Sequence, residues 1–330
     1  MYQALFVGQS ENLPLAFPSD LRTEIAQHLR ILPGEFEGAG WRGHTTALSE
    51  ADFIFATWGM PRLDAGFLAA APRLKGVFYA AGSIKCFATP ESYARGIFIS
   101  SAVEANAIPV AEYAHATILL SLKCFWRFVR QPPEKKFDRE EVCFPGAYRT
   151  KVGLLSLGAV GRSVAARLSA NEVEILACDP FANAESAAKI GVTLVSLEEL
   201  FSQSDVVSIH APWLPETENL VSGALVRSMK PGATLINTAR GAIINESELC
   251  AVLKERPDLT AILDVTHPEP PLPDSPLRLL DNVILTPHIA GSLGSEITRM
   301  GRWMVDEMHR YLAEAPLKHT VSQEMLNRMA

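Results

Sequence analysis

Short apolar runs alternate with amphipathic stretches along nearly the whole chain, and this alternation restricts the fold more than any other feature. Strand-like runs lie near residues 3–7, 52–57, 76–80 and 97–100, then near 151–156, 173–178, 205–209, 233–236, 260–264 and 283–285. Helical spacing marks 21–29, 163–168 and 245–253, and a last helix is expected over 293–314. Strands that alternate with helices imply parallel sheets with helices on both faces. The runs lack strict polar–apolar alternation, as strands covered on both sides do. The expected class is α/β, with doubly wound parallel sheets. A long helical pattern at 108–130 and an irregular stretch at 131–149 separate the two series. Pro132, Pro133, Pro145 and Gly146 break regular structure in that stretch. A length of 330 residues fits about two domains.

Composition narrows the function. Hydrophobic residues make up 48% and charged residues 20%, enough for packed cores and against disorder. The net charge of -7 argues against a nucleic-acid partner, which calls for a basic footprint. It leaves room for a small anion, since one Arg can bind a carboxylate inside an acidic protein. The apolar runs fall short of a membrane span. The N-terminus lacks the charged lead and long apolar run of a signal peptide. The five cysteines (Cys86, Cys124, Cys143, Cys178 and Cys250) form no C-x-x-C pair and read as reduced thiols, mostly core filler. A cytoplasmic protein, bound neither to nucleic acid nor to a membrane, is expected.

Two motifs point to a dinucleotide. In 151–162 a strand runs into a tight turn and a helix, with Gly158 and Gly161 placed to let the backbone approach a pyrophosphate. Ser156 stands at the first glycine of the usual G-x-G-x-x-G pattern. The next strand, 174–179, ends in Asp179, about 20 residues on, where a carboxylate accepts hydrogen bonds from both ribose hydroxyls and repels a 2'-phosphate. That favours NAD over NADP.

Four further strands end in polar residues. The run at 204–217 opens after its strand into His210, Ala211, Pro212 and Thr217. His210 is a candidate for ligand contact and takes no catalytic role. The strand at 233–236 is followed by Arg240, whose guanidinium can fork onto a carboxylate. Glu269 and His288 follow the strands at 260–264 and 283–285 in proline-stiffened loops. A carboxylate beside an imidazole orients the ring and favours its protonated form, the pair that proton transfer at a hydroxyl or carbonyl needs at neutral pH. Each residue alone also reads as a cap or a loop hydrogen bonder.

Together these motifs resemble the D-isomer-specific 2-hydroxyacid dehydrogenase family, over nearly the whole chain and most strongly from Asn106 to Gly291. The segments 106–112, 205–217, 237–241, 263–269 and 285–290 are similar to the family's signatures in order and approximate spacing. The resemblance implies that Arg240 binds substrate, Glu269 assists and His288 is the acid/base. It implies cofactor contacts at Gly158, Ala159, Val160 and Gly161 on the turn, at Asp179 and Pro180, and along His210, Ala211, Pro212 and Thr217. Thr238, Arg240, His288 and Gly291 would also contact the cofactor, and Asp264 and the backbone around Ala239 would flank the nicotinamide. The loop at 80–85 resembles the family's substrate-carboxylate loop, with Gly82 and Ser83 supplying N–H groups. Trp58 is a candidate pocket wall or else a partly buried loop residue. The resemblance also implies a discontinuous, flavodoxin-like substrate domain at 1–103 and 292–330. A Rossmann NAD-binding domain at 104–291 would be inserted in it, and a homodimer would form through the NAD-binding domains.

The expected reaction is hydride transfer between NAD and C2 of a small D-2-hydroxy acid or 2-keto acid, with glyoxylate or hydroxypyruvate as first substrates to try. Three positions depart from the family pattern: Ser156, His267 (where another acid is frequent) and Ile84 (where Asp is frequent). Two other functions fit the same residues. One is a non-enzymatic NAD-sensing protein, as in the C-terminal-binding-protein corepressors. The other is a dehydrogenase of another small anion, such as formate or phosphite. A long-form phosphoglycerate dehydrogenase with a regulatory domain is not expected, since the sequence ends at Ala330.

Overall fold

The computed structural model describes residues 1–129 and 145–326. They form two compact units, one of Met1–Asn106 with the chain from Ser292 onward, the other of Ala107–Gly291. The first division thus falls three residues later than the sequence places it.

The first unit holds a five-stranded parallel sheet of β1 (Gln3–Val7), β2 (Arg30–Phe36), β3 (Phe53–Ala56), β4 (Gly76–Tyr79) and β5 (Phe98–Ser101), in the order β2-β1-β3-β4-β5. That is the flavodoxin-like order, with its switch point between β1 and β3. The absence of alternation in its strands has a direct cause. Leu5, Val7, Ile54 and Val77 face one core, whereas Ala4, Phe6, Phe53, Phe55 and Phe78 face the other. Helix α1 (Ser19–His28) and helix α5 (Ser295–Leu312), which contributes Met300 and Met304, help to close the second core.

The second unit holds seven parallel strands: β6 (Tyr148–Leu155), β7 (Glu172–Cys178), β8 (Val192–Leu194), β9 (Val206–Ile209), β10 (Thr234–Asn237), β11 (Thr260–Leu263) and β12 (Val283–Leu285). Their order, β12-β11-β10-β9-β6-β7-β8, is the Rossmann arrangement with one added edge strand. The order reverses between β6 and β9, which marks the crevice where ligands bind such sheets. Again two cores share the strands, with Leu155, Val207 and Leu235 on one face and Val152, Leu154, Val206 and Ile236 on the other.

Several elements differ from the sequence expectation. Strand β2 was not anticipated. It carries Pro33 and Gly34, lies at the sheet edge and breaks register against β1 between Ala4 and Phe6, all of which an edge strand tolerates. The three-residue β8 is too short to leave a periodic signal. Helix α2 spans Val103–Leu122 rather than 108–130 and contains Pro109 in its interior. It ends before Cys124, whose φ of 53° leaves the right-handed helical region, and a single turn follows at Phe125–Phe128. Strand β6 starts at Tyr148, inside the stretch expected to be irregular, with a register break after it and Arg149 at φ 56°. The rest of that expectation, 131–144, lies outside the described residues. Helix α3 (Ala159–Leu168) begins at the glycine turn itself, four residues before the expected start. Helix α4 (Glu246–Glu255) is capped by Asn245, whose side chain accepts from Glu248 N–H.

No helix among the described residues is long and apolar enough to cross a membrane, and no cluster of possible metal ligands occurs among them. Cys86, Cys178 and Cys250 carry free thiols. Only Cys250 of these is buried, and Cys143 lies outside the described residues.

Candidate active site

The carboxyl ends of β10, β11 and β12 bring Arg240, Glu269 and His288 into one neighbourhood. Asn237, fully buried at the end of β10, shapes the first turn. Its Oδ1 accepts from Ala239 N–H at 3.0 Å and its Nδ2 donates to Arg240 O at 2.9 Å. Gly241 then lets this loop pass the next one. A Cβ there would lie 2.0 Å from the carbonyl carbon of Thr266, so only glycine permits the approach. Burial pushes the Arg240 guanidinium below its usual pKa, and the charge of Glu269 opposes that fall. Arginine remains protonated even so.

Asp264, at the end of β11, is 2% exposed. Its Oδ1 accepts from Thr286 Oγ1 at 2.6 Å and from Ile289 N–H at 2.9 Å, and its Oδ2 accepts from Ala290 N–H at 2.9 Å. Its backbone oxygen also takes His288 N–H at 2.9 Å. The side chain is thus spent on the loop that carries His288. Tyr113 extends the network, its hydroxyl 3.1 Å from Thr286 Oγ1. Thr286 and Tyr113 were not singled out in the sequence, where a Thr before Pro-His and a helical Tyr carry no distinguishing signal.

The loop holds His288 at a φ of 55°, a left-handed conformation that a non-glycine residue keeps only when its surroundings enforce it. Its Nδ1 lies 2.6 Å from Glu269 Oε1, with both side chains partly exposed at 47% and 41%. Nε2 makes no hydrogen bond among the described residues. The geometry is that of an oriented acid/base: one ring nitrogen tied to a carboxylate, the other available. The rings of His267, two residues before Glu269, and Trp213 meet in a T-shaped pair with centroids 5.2 Å apart.

Around the β6–α3 turn, Gly158 and Ala159 are exposed, Val160 is partly so, and Gly161 is buried. A Cβ on Gly161 would lie 2.1 Å from Ser156 O, so this position must be glycine for helix to pack on strand. A Cβ on Gly158 would meet nothing within 4 Å. The backbone alone does not call for glycine there, whereas a pyrophosphate seated against the N-terminus of α3 does. The turn therefore fits a dinucleotide. Ser156 has a φ of 82°, which costs a non-glycine residue roughly 1–2 kcal/mol. Its hydroxyl donates to Asp179 Oδ2 at 3.1 Å, a bond to a charged acceptor that offsets about that much.

His210 follows β9 beside this turn. Its Cδ2 is 3.9 Å from the position of a Gly161 Cβ, and both ring nitrogens are buried without a partner among the described residues. Burial lowers its pKa to about 4. The Thr217 hydroxyl donates to Pro212 O and accepts from Leu214 N–H at 2.8 Å, so it folds the 212–217 loop on itself. Thr238 is buried, with its hydroxyl unpartnered among the described residues.

In the first unit, the loop at 80–85 follows β4. The carbonyls of Ala81 and Gly82 accept from Ser101 Oγ, at 3.2 and 2.6 Å. The N–H groups of Gly82 and Ser83 donate to nothing among the described residues. Trp58 is partly buried against both cores of its unit, and its carbonyl accepts from Gln9 N–H at 2.7 Å.

A Rossmann sheet with a glycine turn and a carboxylate–imidazole pair at its carboxyl edge defines a dinucleotide-dependent class of protein. Comparison with known proteins narrows it. Residues 116–290 match the model of the D-isomer specific 2-hydroxyacid dehydrogenase NAD-binding domain, and the chain belongs to that family. It is 34% identical to a D-3-phosphoglycerate dehydrogenase of Archaeoglobus fulgidus over 261 residues, which are 79% of this chain and 50% of that protein. It is 29% identical to a glyoxylate reductase of Korarchaeum cryptofilum over 268 residues, 80% of this chain and 81% of the other. The chain spans about half the length of the phosphoglycerate dehydrogenases it matches. Among solved structures, a phosphoglycerate oxidoreductase from Rhizobium etli has the same fold, with a TM-score of 0.82 at 21% identity over 99% of this chain and 100% of that one.

Proposed function

We propose that the chain interconverts a small 2-keto acid and the matching D-2-hydroxy acid, using NAD(H). The observation that carries this reading is the 2.6 Å contact of His288 Nδ1 with Glu269 Oε1, in the electrostatic reach of Arg240.

Bound NAD supplies the hydride acceptor, or NADH the donor. The remaining work falls to the chain. Arg240 forks onto the substrate carboxylate and sets its orientation. His288 takes the hydroxyl proton at Nε2 in oxidation and returns it to the carbonyl oxygen in reduction. Glu269 aims the ring and stabilises the imidazolium that forms. Such proton transfer accelerates a step by roughly 10²–10⁴-fold. The turn from Gly158 to Gly161 receives the pyrophosphate, and Asp179 binds ribose while disfavouring a 2'-phosphate.

Glyoxylate and hydroxypyruvate are the substrates to try first. The glyoxylate reductase relative supports that choice, because it matches along four fifths of both chains. A homodimer formed through the NAD-binding units is proposed from the family resemblance, and a monomer mass by light scattering would remove it. The test of function is NADH consumption with glyoxylate, hydroxypyruvate, pyruvate and a bulky aromatic 2-keto acid in turn. Turnover of any of them, with little from NADPH, is the expected result. NADH binding without turnover of any keto acid would overturn the reaction and leave the fold intact.

A further inference from the structure

We propose that Ser156 is a positioning residue that tunes cofactor specificity, its hydroxyl filling an acceptor position on Asp179 that a ribose hydroxyl would otherwise take. The inference rests on the reading of the β6–α3 turn as the NAD site. An ionised carboxylate has about four acceptor positions. Ser156 Oγ and Leu157 N–H both donate to Asp179 Oδ2, at 3.1 and 2.7 Å, and Phe181 N–H donates to Oδ1 at 2.8 Å. Three positions are therefore filled from within the chain and, among the described residues, one remains, on Oδ1. The two hydroxyls of a ribose have a single strong acceptor between them.

Glycine at this position would adopt the φ of 82° without strain and leave the second place on Oδ2 open. It would also leave the carboxylate with one donor fewer drawing on its charge. A carboxylate satisfied by three donors is a weaker acceptor and repels a 2'-phosphate less. Ser156 thus lowers affinity for NADH and narrows its advantage over NADPH. A residue that only propped the turn would do the opposite, because its removal would loosen Asp179.

The test uses the full chain without substrate. Dissociation constants for NADH and for NADPH are measured by nucleotide fluorescence in the parent, Ser156→Gly and Ser156→Ala. Both variants are expected to bind NADH about three- to tenfold more tightly, the worth of one hydrogen bond, with the ratio of the NADPH to the NADH constant rising in step. Ser156→Ala keeps a Cβ at the strained φ, so agreement between the variants assigns the gain to the hydroxyl. Tightening in Ser156→Gly alone would make it a matter of backbone strain and overturn the proposal. Weaker NADH binding in both variants, or an unchanged ratio, would overturn it too. A parent that binds neither nucleotide would bring down the NAD reading and this inference together, whereas a parent that binds NADH alongside unmoved variants would bring down this inference only.

Discussion

His210 and His288 both follow strands of one parallel sheet at its carboxyl end, yet their surroundings give them opposite chemistry. His210 has both ring nitrogens buried and unpartnered among the described residues, and burial lowers its pKa to about 4. Burial thus favours its neutral form. His288 is about half exposed, has Nδ1 fixed by Glu269 and sits at a φ of 55°. The carboxylates of the β11 loop divide in the same manner. Asp264 is 2% exposed and spends its oxygens on Thr286, Ile289 and Ala290, whereas Glu269 is 41% exposed and meets one imidazole. Residue type at a strand end marks candidates. The partner and the exposure decide which candidate does chemistry and which holds the scaffold.

The contrast breaks most visibly at His288. His288→Ala is expected to lower kcat by about 10²–10⁴-fold while the dissociation constant for NADH stays put. Undiminished turnover would take the acid/base role away from it. Asp264→Ala removes the acceptor of three donors around the His288 loop, so unfolding in urea should show a loss of about 3 kcal/mol. A variant as stable as the parent would mean the loop holds its shape unaided. Glu269→Gln keeps a hydrogen-bonding group and removes the charge. It should leave stability unchanged and lower kcat/KM by roughly ten- to a hundredfold, the worth of a hydrogen bond to a charged group. Destabilisation in place of a rate effect would put Glu269 with Asp264 among the scaffold residues.

The sheets were legible because their strands are covered on both faces, which leaves unbroken apolar runs such as Ala4–Val7 and Phe53–Ala56. Strand β2 was not, since Pro33 and Gly34 interrupt its pattern, and an edge position is what makes them tolerable. The α2 helix was started five residues late and run past its break at Cys124, which the apolar periodicity does not mark. Arg240, Glu269 and His288 stood out as charged residues just beyond strands. Their supports did not. Asn237 shapes the Arg240 turn from within a buried strand end, and Gly241 acts through the Thr266 backbone on a different loop. The Asn237 turn is local and shows only in the fold of its loop, whereas the Gly241 approach joins residues 25 apart, which the sequence does not reveal. The Ser156 hydroxyl on Asp179 is another such contact: the substitution was visible, its partner 23 residues away was not.

An effect that shows only as pH falls sharpens the contrast from the other side. His210 has a folded pKa of about 4, below the value of about 6.5 for an exposed imidazole. The unfolded chain therefore binds the proton first as pH falls. The stability associated with the neutral ring is complete above about pH 6.5 and declines down to about pH 4. A His210→Phe variant keeps an aromatic ring there and loses the titration. The parent's advantage over it at pH 7.5 should shrink by about 2–3 kcal/mol by pH 4, with all other groups cancelling in the difference. Urea unfolding of both proteins across that range measures it. Parallel curves would mean that the ring titrates as it does in water, so that the 210–217 loop opens readily to solvent and the two histidines differ less than their burial indicates. Diverging curves would establish His210 as a neutral wall beside the glycine turn, leaving His288 as the one of the two that is placed to carry a proton.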